Sequence, residues 1–345
     1  MLADIKSMTQ KELEDWIIAR GEKPYRARQI YGWLHEKLAC SWDEMTTLPG
    51  SMREALHDEP LTVLQKEECQ ISALDGTRKY LFSLPDGNVI ESVLMRYRHG
   101  NSVCISSQAG CRMGCAFCAS AIGGKKRDLL PSEMLDQIYR IRTDTGERVS
   151  NVVVMGTGEP LDNYENLLRF VQLLTGEGGL HISQRNVTVS TCGLVPKIYE
   201  LARQKLSITL ALSLHAPDDD IRRRLMPVAR KYTIEETLKA CRYYFVETGR
   251  RVTFEYSLIH GVNDAREHAQ KLGGLLAGMH GHVNLIPVNS VRERSFVHPD
   301  PYIISNFKNE LEKYGINVTI RREMGADIDG ACGQLRSKFR KREQT

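Results

Sequence analysis

Three cysteines of this chain are spaced in a way that could hold an inorganic cluster. Cys111, Cys115 and Cys118 form a C-x3-C-x2-C pattern within the stretch "VCISSQAGCRMGCAFC", and the chain contains no second C-x2-C pair. A structural zinc ion takes four protein ligands and a ferredoxin-type cluster takes four cysteines, so either would need a fourth ligand, from Cys104 or from a distant histidine. Three thiolates alone would leave one iron of a 4Fe-4S cluster open. The spacing therefore predicts an iron-sulfur site with one exchangeable corner, and zinc is the alternative.

An open iron is the arrangement of radical S-adenosylmethionine (SAM) enzymes, in which SAM binds the cluster and is cleaved to a radical. Phe117, an aromatic residue directly before the last cysteine, fits this class of enzyme. A second motif agrees, because "VVVMGTGEPL" places Gly158 and Glu159 just after a predicted strand. In radical SAM enzymes a Gly-Glu pair at this point holds the amino group of SAM. The motif is not a Rossmann fingerprint, since Leu161 occupies the third glycine position. An ordinary strand-to-helix turn is the alternative.

The elements that must position these residues alternate between strand and helix from about residue 101 onward. Near-continuous apolar runs are typical of parallel strands covered by helices. Apolar periodicity indicates helices at 132–144, 164–175 and 233–247. We therefore expect an α/β fold, a partial (β/α)6-type barrel with its site at the C-terminal ends of the strands. The predicted strands are 102–106, 151–155, 187–191, 208–214, 252–258, 282–287 and 316–321.

Two smaller regions precede this barrel. The first region, residues 1–60, is predicted to be a small helical domain. It either binds RNA or packs against the barrel. The second has strand-like segments and Asp-Gly turns, which indicate a short antiparallel β meander. Glu91 lies in its last strand between apolar neighbours, where burial is costly unless the carboxylate is paired or functional; a solvent-facing position is the alternative. The predicted domains are 1–60, 61–100 and 101–345.

The composition limits the setting in which the protein acts. The chain has 345 residues, of which 41% are hydrophobic and 26% charged, with a net charge of +4. No run approaches the ~18 apolar residues of a membrane span, and the N-terminus lacks the apolar centre of a signal peptide, so we expect a cytoplasmic protein with no membrane partner. There, clustered cysteines favour metal binding or catalysis over disulfides. Basic clusters at 125–127, 222–224 and the C-terminal tail permit a polyanionic partner, with a solvated surface as the alternative.

The motifs together resemble the RlmN/Cfr family of RNA adenine methyltransferases over essentially the whole chain. The resemblance rests on "CISSQAGCRMGCAFC", "MGTGEPL", "VTVSTCGLVP", "LSLHAPDDDIRRRLMPV", "LIHGVNDAREHA", "NLIPVN" and "VTIRREMGADIDGACGQL". The proline of "GEPL" and the "NLIPVN" segment resemble RlmN, which methylates carbon 2 of adenine, whereas Cfr modifies carbon 8. The sequence departs from the family at Thr157, at Gly330 and at Ala119-Ser120-Ala121, which are lining or hinge positions.

The resemblance implies a chemistry that passes through sulfur. Carbon 2 of adenine is electron-poor and does not attack the electrophilic methyl group of SAM, so the methyl is first placed on a thiolate, which the resemblance identifies as Cys332. A second SAM, cleaved at the 4Fe-4S cluster, activates the S-methyl group, which then adds to carbon 2. Release requires loss of the carbon 2 proton, for which Glu91 matches the family's proposed base. Attack by Cys104 on Cys332 then leaves a transient disulfide.

The resemblance also implies cofactor contacts and partners. The cluster ligands are Cys111, Cys115 and Cys118, and the SAM contacts are Gly158, Glu159, Ser190, Ser213, Leu214, His215 and Asn289. The substrates it implies are 23S rRNA and tRNA, with an external flavodoxin-like electron donor, and we expect a monomer. Two alternatives stay open: Cfr-like methylation at carbon 8, and a non-catalytic metal-containing RNA-binding protein. The remaining cysteines, expected to be packing residues, are Cys40, Cys69, Cys192 and Cys241.

Overall fold

A ten-stranded mixed β-sheet organises the chain in the computed structural model, which describes residues 4–288 and 296–328. The α-helices of these residues are α1 (Gln10–Ile18), α2 (Tyr25–His35), α3 (Gly50–Leu56), α4 (Pro131–Thr145), α5 (Tyr164–Thr175), α6 (Val195–Arg203), α7 (Asp219–Leu225), α8 (Ile234–Thr248), α9 (Arg266–Leu276) and α10 (Pro301–Glu312). The strands are β1 (Gln65–Ile71), β2 (Arg78–Ser83), β3 (Val89–Tyr97), β4 (Gly100–Ile105), β5 (Gln108–Ala109), β6 (Arg127–Asp128), β7 (Val149–Val154), β8 (Val187–Thr191), β9 (Thr209–Ser213), β10 (Val252–Leu258), β11 (Gly281–Pro287) and β12 (Asn317–Ile320).

Seven strands of the large sheet are parallel, in the order β4-β7-β8-β9-β10-β11-β12. Each connection between sequential parallel strands contains at least one helix, from α4 between β4 and β7 to α10 between β11 and β12. The predicted partial (β/α)6-type barrel is therefore confirmed. No helix among the described residues is long and apolar enough to cross a membrane.

The apolar runs become strands because both of their faces are covered. In β9, Leu210, Ala211 and Leu212 are fully buried, so successive side chains on opposite faces are both shielded from water. All seven predicted strands are present, with ends that differ from the prediction by at most two residues. The three predicted helices are present as α4, α5 and α8, and α8 begins at a capping box formed by Thr233 and Glu236.

The N-terminal helices pack directly against the barrel. A buried salt bridge joins Lys6 to Asp136 of α4, with 2.9 Å between Nζ and Oδ1. The other carboxylate oxygen of Asp136 accepts a hydrogen bond from the backbone N–H of Leu64 at 2.7 Å. The buried side chains of α1, Leu13 and Ile17, belong to the same hydrophobic core as the barrel residues. These contacts hold the helical region in place, and the predicted domain boundaries themselves stay a prediction.

The predicted meander is an extension of the same sheet. Strand β1 pairs antiparallel with β2, and β2 pairs antiparallel with β3. Strand β3 in turn pairs antiparallel with β4, the first strand of the parallel set. Its strands therefore lie directly beside the first strand of the barrel, and side chains of β3 can reach the barrel interior.

The basic clusters are less available to a polyanion than their sequence indicates. Lys125 forms salt bridges with Asp128 and Asp162, and Arg127 forms one with Glu133. In the cluster 222–224, Arg222 is fully buried, whereas Arg223 and Arg224 are exposed. The C-terminal tail lies outside the described residues. The sequence left open that all of these basic residues are solvated surface residues. That alternative is wrong for Arg222, which is buried.

Candidate active site

One cavity at the C-terminal ends of the parallel strands gathers most of the residues that the sequence singled out. It has a volume of about 370 Å³, within the usual size range of small-molecule sites. Its lining draws on the ends of β4, β7, β8, β9 and β10 and on the loops that follow them. The predicted site residues among its lining are Glu91, Cys104, Cys111, Cys115, Cys118, Gly158, Glu159, Ser190, Ser213 and His215.

Of the other three predicted site residues, only Leu214 is described, and it is not part of this lining. Leu214 is fully buried, and its backbone N–H donates to the Glu255 carbonyl at 3.0 Å. Asn289 and Cys332 lie outside the described residues, as does Gly330. The roles predicted for Asn289 and Cys332 therefore stay predictions.

The three cysteines of the C-x3-C-x2-C loop lie close together in the cavity wall. Burial raises the pKa of Cys111 to about 11, and the neighbouring Cys118 adds to the rise. Burial also raises the pKa of Cys115, with Cys118 and Cys111 contributing in the same direction. Three neighbouring thiols form a sulfur donor set of the kind that binds an iron-sulfur cluster. Among the described residues, no three His, Cys, Asp or Glu side chains are grouped to hold a single metal ion.

The cysteine loop is fixed to α7, the helix that follows β9. The Ala116 N–H donates to the Leu225 carbonyl at 2.8 Å, which joins the loop to the last turn of that helix. The Cys118 N–H donates to the Cys115 carbonyl at 3.2 Å. A Cβ on Gly114 would lie 3.4 Å from the ring of Pro227, directly after α7. The position of the thiols therefore depends on α7 as well as on β4.

Two glycines let the loop after β7 lie against the end of β4. Gly158 has φ +114, and a Cβ there would lie 2.7 Å from Gln108 Cβ and from Ser107 Oγ. A Cβ on Gly156 would lie 2.7 Å from the Ile105 carbonyl oxygen. Neither contact is tolerable for a larger residue. The glycines therefore bring the Gly-Glu motif into the cavity, beside the cysteine loop.

Thr157 and Ser120, two cavity-region positions that the sequence analysis singled out, touch each other. Thr157 is fully buried, and its carbonyl accepts from the Ser107 N–H at 2.9 Å and the Gln108 N–H at 3.1 Å. Its hydroxyl lies 3.4 Å from the hydroxyl of Ser120. Both side chains are small and polar, so they fit together in one buried contact.

Glu159 presents a buried carboxylate to the cavity. It accepts hydrogen bonds from the Cys192 N–H at 2.8 Å and from the Leu161 N–H at 3.1 Å. Its own N–H donates to Gln108 Oε1 at 2.9 Å. Burial raises the pKa of Glu159, and the backbone donors oppose that rise. A carboxylate fixed in this way is suited to binding an ammonium group within the cavity.

His215 lines the same cavity in a strained backbone conformation, with φ 55. Its Nδ1 accepts from the Ser257 N–H at 2.8 Å, and its carbonyl accepts from Asn263 Nδ2 at 2.9 Å. Burial, aided by the charge of Arg222, lowers the pKa of His215 to about 3. The ring is therefore neutral near pH 7, and because Nδ1 is an acceptor its proton is on Nε2. The ring also contacts Phe117 edge-on at 4.9 Å between centroids.

Glu91 and Cys104 lie on neighbouring strands and line the same cavity. Glu91 is 3% exposed and forms a salt bridge with fully buried Lys79, with 3.2 Å between Nζ and Oε2. The solvent-facing alternative for Glu91 is therefore wrong. Cys104 pairs with Val93 of β3 and is half-buried. Burial raises the pKa of the Cys104 thiol, and the positive charges of Arg321 and Lys79 oppose that rise.

Glu255 and Cys192 are among the cavity residues that reasoning from the sequence missed. Glu255 is 4% exposed, and its Oε2 accepts from Asn284 Nδ2 at 2.8 Å. Burial raises the pKa of Glu255, and the charge of Arg321 opposes it. A lone carboxylate within an apolar strand was the signal that identified Glu91, and it applies equally to Glu255. Cys192, expected to be a packing residue, also lines the cavity beside Glu159.

Comparison with known sequences places two regions of the chain in described families. A profile described as "Radical SAM superfamily" matches residues 105–272. A profile described as "Ribosomal RNA large subunit methyltransferase N-terminal domain" matches residues 3–60. The cysteine loop, the Gly-Glu motif and His215 all lie within the first match.

Similar proteins match almost the whole chain. A protein of Lachnospira eligens named "Probable dual-specificity RNA methyltransferase RlmN" is 61% identical over 339 residues, which cover 98% of this chain and 97% of that protein. A protein of the same name from Lachnoclostridium phytofermentans is 56% identical over 337 residues, covering 97% and 95%. The crystal structure of a radical SAM methyltransferase from Sphaerobacter thermophilus aligns with a TM-score of 0.92 at 45% identity, covering 96% of this chain and 98% of that one.

Proposed function

The chain belongs to the RlmN family of radical SAM RNA methyltransferases, and on that premise we propose that it methylates carbon 2 of adenosine in 23S rRNA and in tRNA. Its cofactors are a 4Fe-4S cluster and SAM, as in the radical SAM superfamily. One observation carries the finer assignment: a single cavity contains the three-cysteine loop, the Cys104 thiol and the Glu91 carboxylate. Cluster, resolving thiol and base are then within reach of one bound adenine.

The residues of the cavity fit these cofactors. Cys111, Cys115 and Cys118 would hold the cluster, because they supply three adjacent sulfur donors beside a cavity. Glu159 would hold the amino group of SAM, since its carboxylate is buried and fixed by backbone donors. The other contacts proposed for SAM are Gly158, Ser190, Ser213, Leu214, His215 and Asn289. When bound, the cluster and SAM supply an electrophilic methyl group and a radical that removes a hydrogen atom.

Two thiols of the chain would handle the transferred carbon. The sulfur of Cys332 accepts the methyl group, and its activated form becomes bonded through carbon to the adenine ring. After carbon 2 loses its proton and the ring loses its unpaired electron, for which the bound cluster would be the acceptor, the Cys104 thiolate attacks the Cys332 sulfur, which forms the S–S bond and breaks the C–S bond. The electron pair of the broken bond stays with the carbon, which takes up a proton to become the methyl product. An external dithiol must then reduce the disulfide.

Glu91 would accept the carbon 2 proton. Its carboxylate lines the cavity that contains Cys104, so an adenine placed for attack by Cys104 also lies near this base. The salt bridge to Lys79 fixes the carboxylate on the cavity side of β3. Lys79 is therefore a positioning residue for Glu91.

The N-terminal helices carry a surface suited to RNA. Lys37 lies 3.7 Å above the Trp33 ring and Arg26 lies 4.7 Å from Tyr25, whereas Arg20, 3.6 Å above the Trp16 ring, is paired with Glu59. Cations paired with aromatic faces can both neutralise phosphates and stack on unpaired bases. This surface supports the RNA-binding role proposed for residues 1–60.

We further propose that the protein is a cytoplasmic monomer that receives electrons from a flavodoxin-like donor.

Product analysis tests the proposal. The protein is reconstituted anaerobically with iron and sulfide, incubated with SAM, reductant and 23S rRNA or tRNA, and the RNA is digested to nucleosides. Mass spectrometry against standards is expected to show 2-methyladenosine. A product that matches 8-methyladenosine would favour the Cfr-like alternative. A protein that binds zinc and no sulfide, and gives no methylated nucleoside, would favour a non-catalytic RNA-binding protein.

A further inference from the structure

Arg222 is a fully buried arginine on the inner face of α7 with an incomplete set of partners. Its Nη2 donates to the Cys192 carbonyl at 2.7 Å and lies 3.4 Å from the Ser213 carbonyl, and its Nε donates to the Leu214 carbonyl at 3.2 Å. Within residues 4–288 and 296–328, Nη1 has no hydrogen-bond partner, and no carboxylate lies within salt-bridge distance of the guanidinium. Burial lowers the pKa of Arg222 and the negative charge of Asp219 opposes that shift, but the Asp219 carboxylate accepts a hydrogen bond from the Ile234 N–H at the start of α8.

The position of Arg222 connects it to the cysteine loop. It lies one turn before Leu225, whose carbonyl accepts the Ala116 N–H at 2.8 Å. Its Nη2 donates to the carbonyl of Cys192, which lines the cavity together with Cys115. Cys192 and Leu225 of α7 belong to one small apolar cluster, and Cys115 packs against that cluster.

A buried cation without a counter-charge is unfavourable, so a negative group is expected to compensate it. Three thiolates on a cubane cluster make an anionic assembly, and reduction by one electron makes it more negative. Nearby cations and hydrogen-bond donors are among the features that set the potential of iron-sulfur clusters. If Arg222 served only to stabilise the fold, its hydrogen bonds to the carbonyls of Cys192 and Leu214 would be sufficient. Such a role would explain neither the buried positive charge nor the Nη1 that has no partner among the described residues.

We propose that Arg222 is the positioning residue that compensates the charge of the cluster: its guanidinium lies beside the cluster-binding loop and makes the bound cluster easier to reduce. The inference rests on the proposed assignment of Cys111, Cys115 and Cys118 as cluster ligands. Neighbouring Arg223 and Arg224 lie on the exposed side of α7 and do not share this role.

The reduction potential of the loaded protein tests the inference. Wild type, Arg222→Gln, Arg222→Lys and the matched surface control Arg224→Gln are reconstituted to equal iron and sulfide content and titrated with reductant, with EPR detection. At a fixed applied potential, Arg222→Gln is expected to lower the ratio of reduced to oxidised cluster at least ~10-fold, a shift of about 59 mV for one electron. Arg222→Lys should fall between it and wild type, and Arg224→Gln should match wild type. A fully loaded Arg222→Gln with the wild-type potential overturns the inference.

A second measurement does not depend on the folding of Arg222→Gln. Wild-type protein labelled with ¹⁵N-arginine is reduced and examined by pulsed EPR. A ¹⁵N hyperfine coupling to the cluster is expected, and it should vanish in Arg222→Lys. Absence of any arginine coupling in wild type overturns the inference while leaving the cluster assignment intact. A wild-type protein that takes up no iron and sulfide overturns both.

Discussion

Lys79 and Glu91 form a salt bridge across neighbouring strands β2 and β3, on the wall of the cavity that also contains Cys104. The Nζ–Oε2 distance is 3.2 Å, and both side chains are almost completely buried. Lys79 pairs in register with Val93, so the bridge is diagonal and lies on one face of the sheet. Glu91, the base proposed for the reaction, is therefore oriented by Lys79, a residue of the antiparallel meander and not of the parallel barrel.

Replacing Glu91 tests its role as the base. Glu91→Gln keeps the size of the side chain and removes its ability to accept a proton. We expect turnover to fall on the order of 100-fold, the usual contribution of a general base. The measurement is the rate of methylated adenosine formation at saturating RNA. Turnover at the wild-type rate would remove Glu91 from the mechanism.

Lys79→Met separates positioning from chemistry. The variant leaves the Glu91 carboxylate in place without its cation, so the free energy of unfolding should fall by about 3 kcal/mol. Urea denaturation of Lys79→Met and of the exposed-site control Lys66→Met provides the comparison. An unfolding free energy equal to that of wild type would show that the bridge does not stabilise the cavity wall.

Cys104→Ala should trap the reaction before release. Without the resolving thiol the C–S bond cannot be broken by disulfide formation, so the RNA stays attached to Cys332. Denaturing gels should show a protein–RNA species that nuclease treatment shortens. Cys69→Ala, at a half-buried position in β1 away from the cavity lining, should behave as wild type. Free methylated RNA from Cys104→Ala would contradict the role given to this thiol.

Gly158→Ala should disturb the SAM-binding loop. The added Cβ would lie 2.7 Å from Gln108 Cβ and Ser107 Oγ at a φ of +114, so we expect a loss of about 2 kcal/mol in unfolding free energy and weaker SAM binding. Gly274→Ala is the matched control, because it lies in α9 with nothing within 4 Å of the new Cβ. It should be neutral or stabilise by about 0.5 kcal/mol. Equal SAM affinity in both variants would argue against a close approach at Gly158.

His35 should make stability depend on pH. It is fully buried, its Nδ1 lies 2.8 Å from the Tyr139 hydroxyl, and the Tyr31 ring contacts it with 4.3 Å between centroids. Burial, with a smaller effect of the Lys6 charge, lowers its pKa from 6.5 to about 3. Between these values the unfolded chain binds a proton that the folded protein does not. Stability should therefore fall as the pH falls from 6.5, by up to about 1.4 kcal/mol per pH unit.

His35→Gln removes this contribution. Urea unfolding between pH 7 and pH 4 should give a shallower pH slope for His35→Gln than for wild type, whereas the exposed-site control His57→Gln should keep the wild-type slope. An unchanged slope in His35→Gln would show that the histidine does not carry the effect.

Much of the fold could be predicted because its signals are local. The parallel strands are short apolar runs, and in the central strands, such as β8 and β9, residues on both faces are buried, so composition alone indicates them. The cysteine loop and the Gly-Glu motif were found by spacing, and the structure brings both to one cavity. Family resemblance supplied the roles proposed for Cys104 and Glu91, which no local pattern would have connected to each other.

What the sequence could not reveal depends on strand register and helix orientation. Lys79 is identified as the partner of Glu91 only when β2 and β3 are aligned. The run 222–224 looks like uniform surface charge, because three successive arginines do not show which one faces inward. Glu255 carried the same signal as Glu91, a carboxylate inside an apolar strand, but no motif drew attention to it.

The passage of the methyl carbon through Cys332 is tested most directly by a chase experiment. The protein is loaded with ¹³C-methyl SAM, freed of unbound SAM, and then given RNA, reductant and unlabelled SAM. Mass spectrometry of the first turnover is predicted to show ¹³C in 2-methyladenosine, and Cys332→Ala should give no methylated product. An unlabelled first product from wild type, or methylation by Cys332→Ala, would contradict a carbon carried on that sulfur.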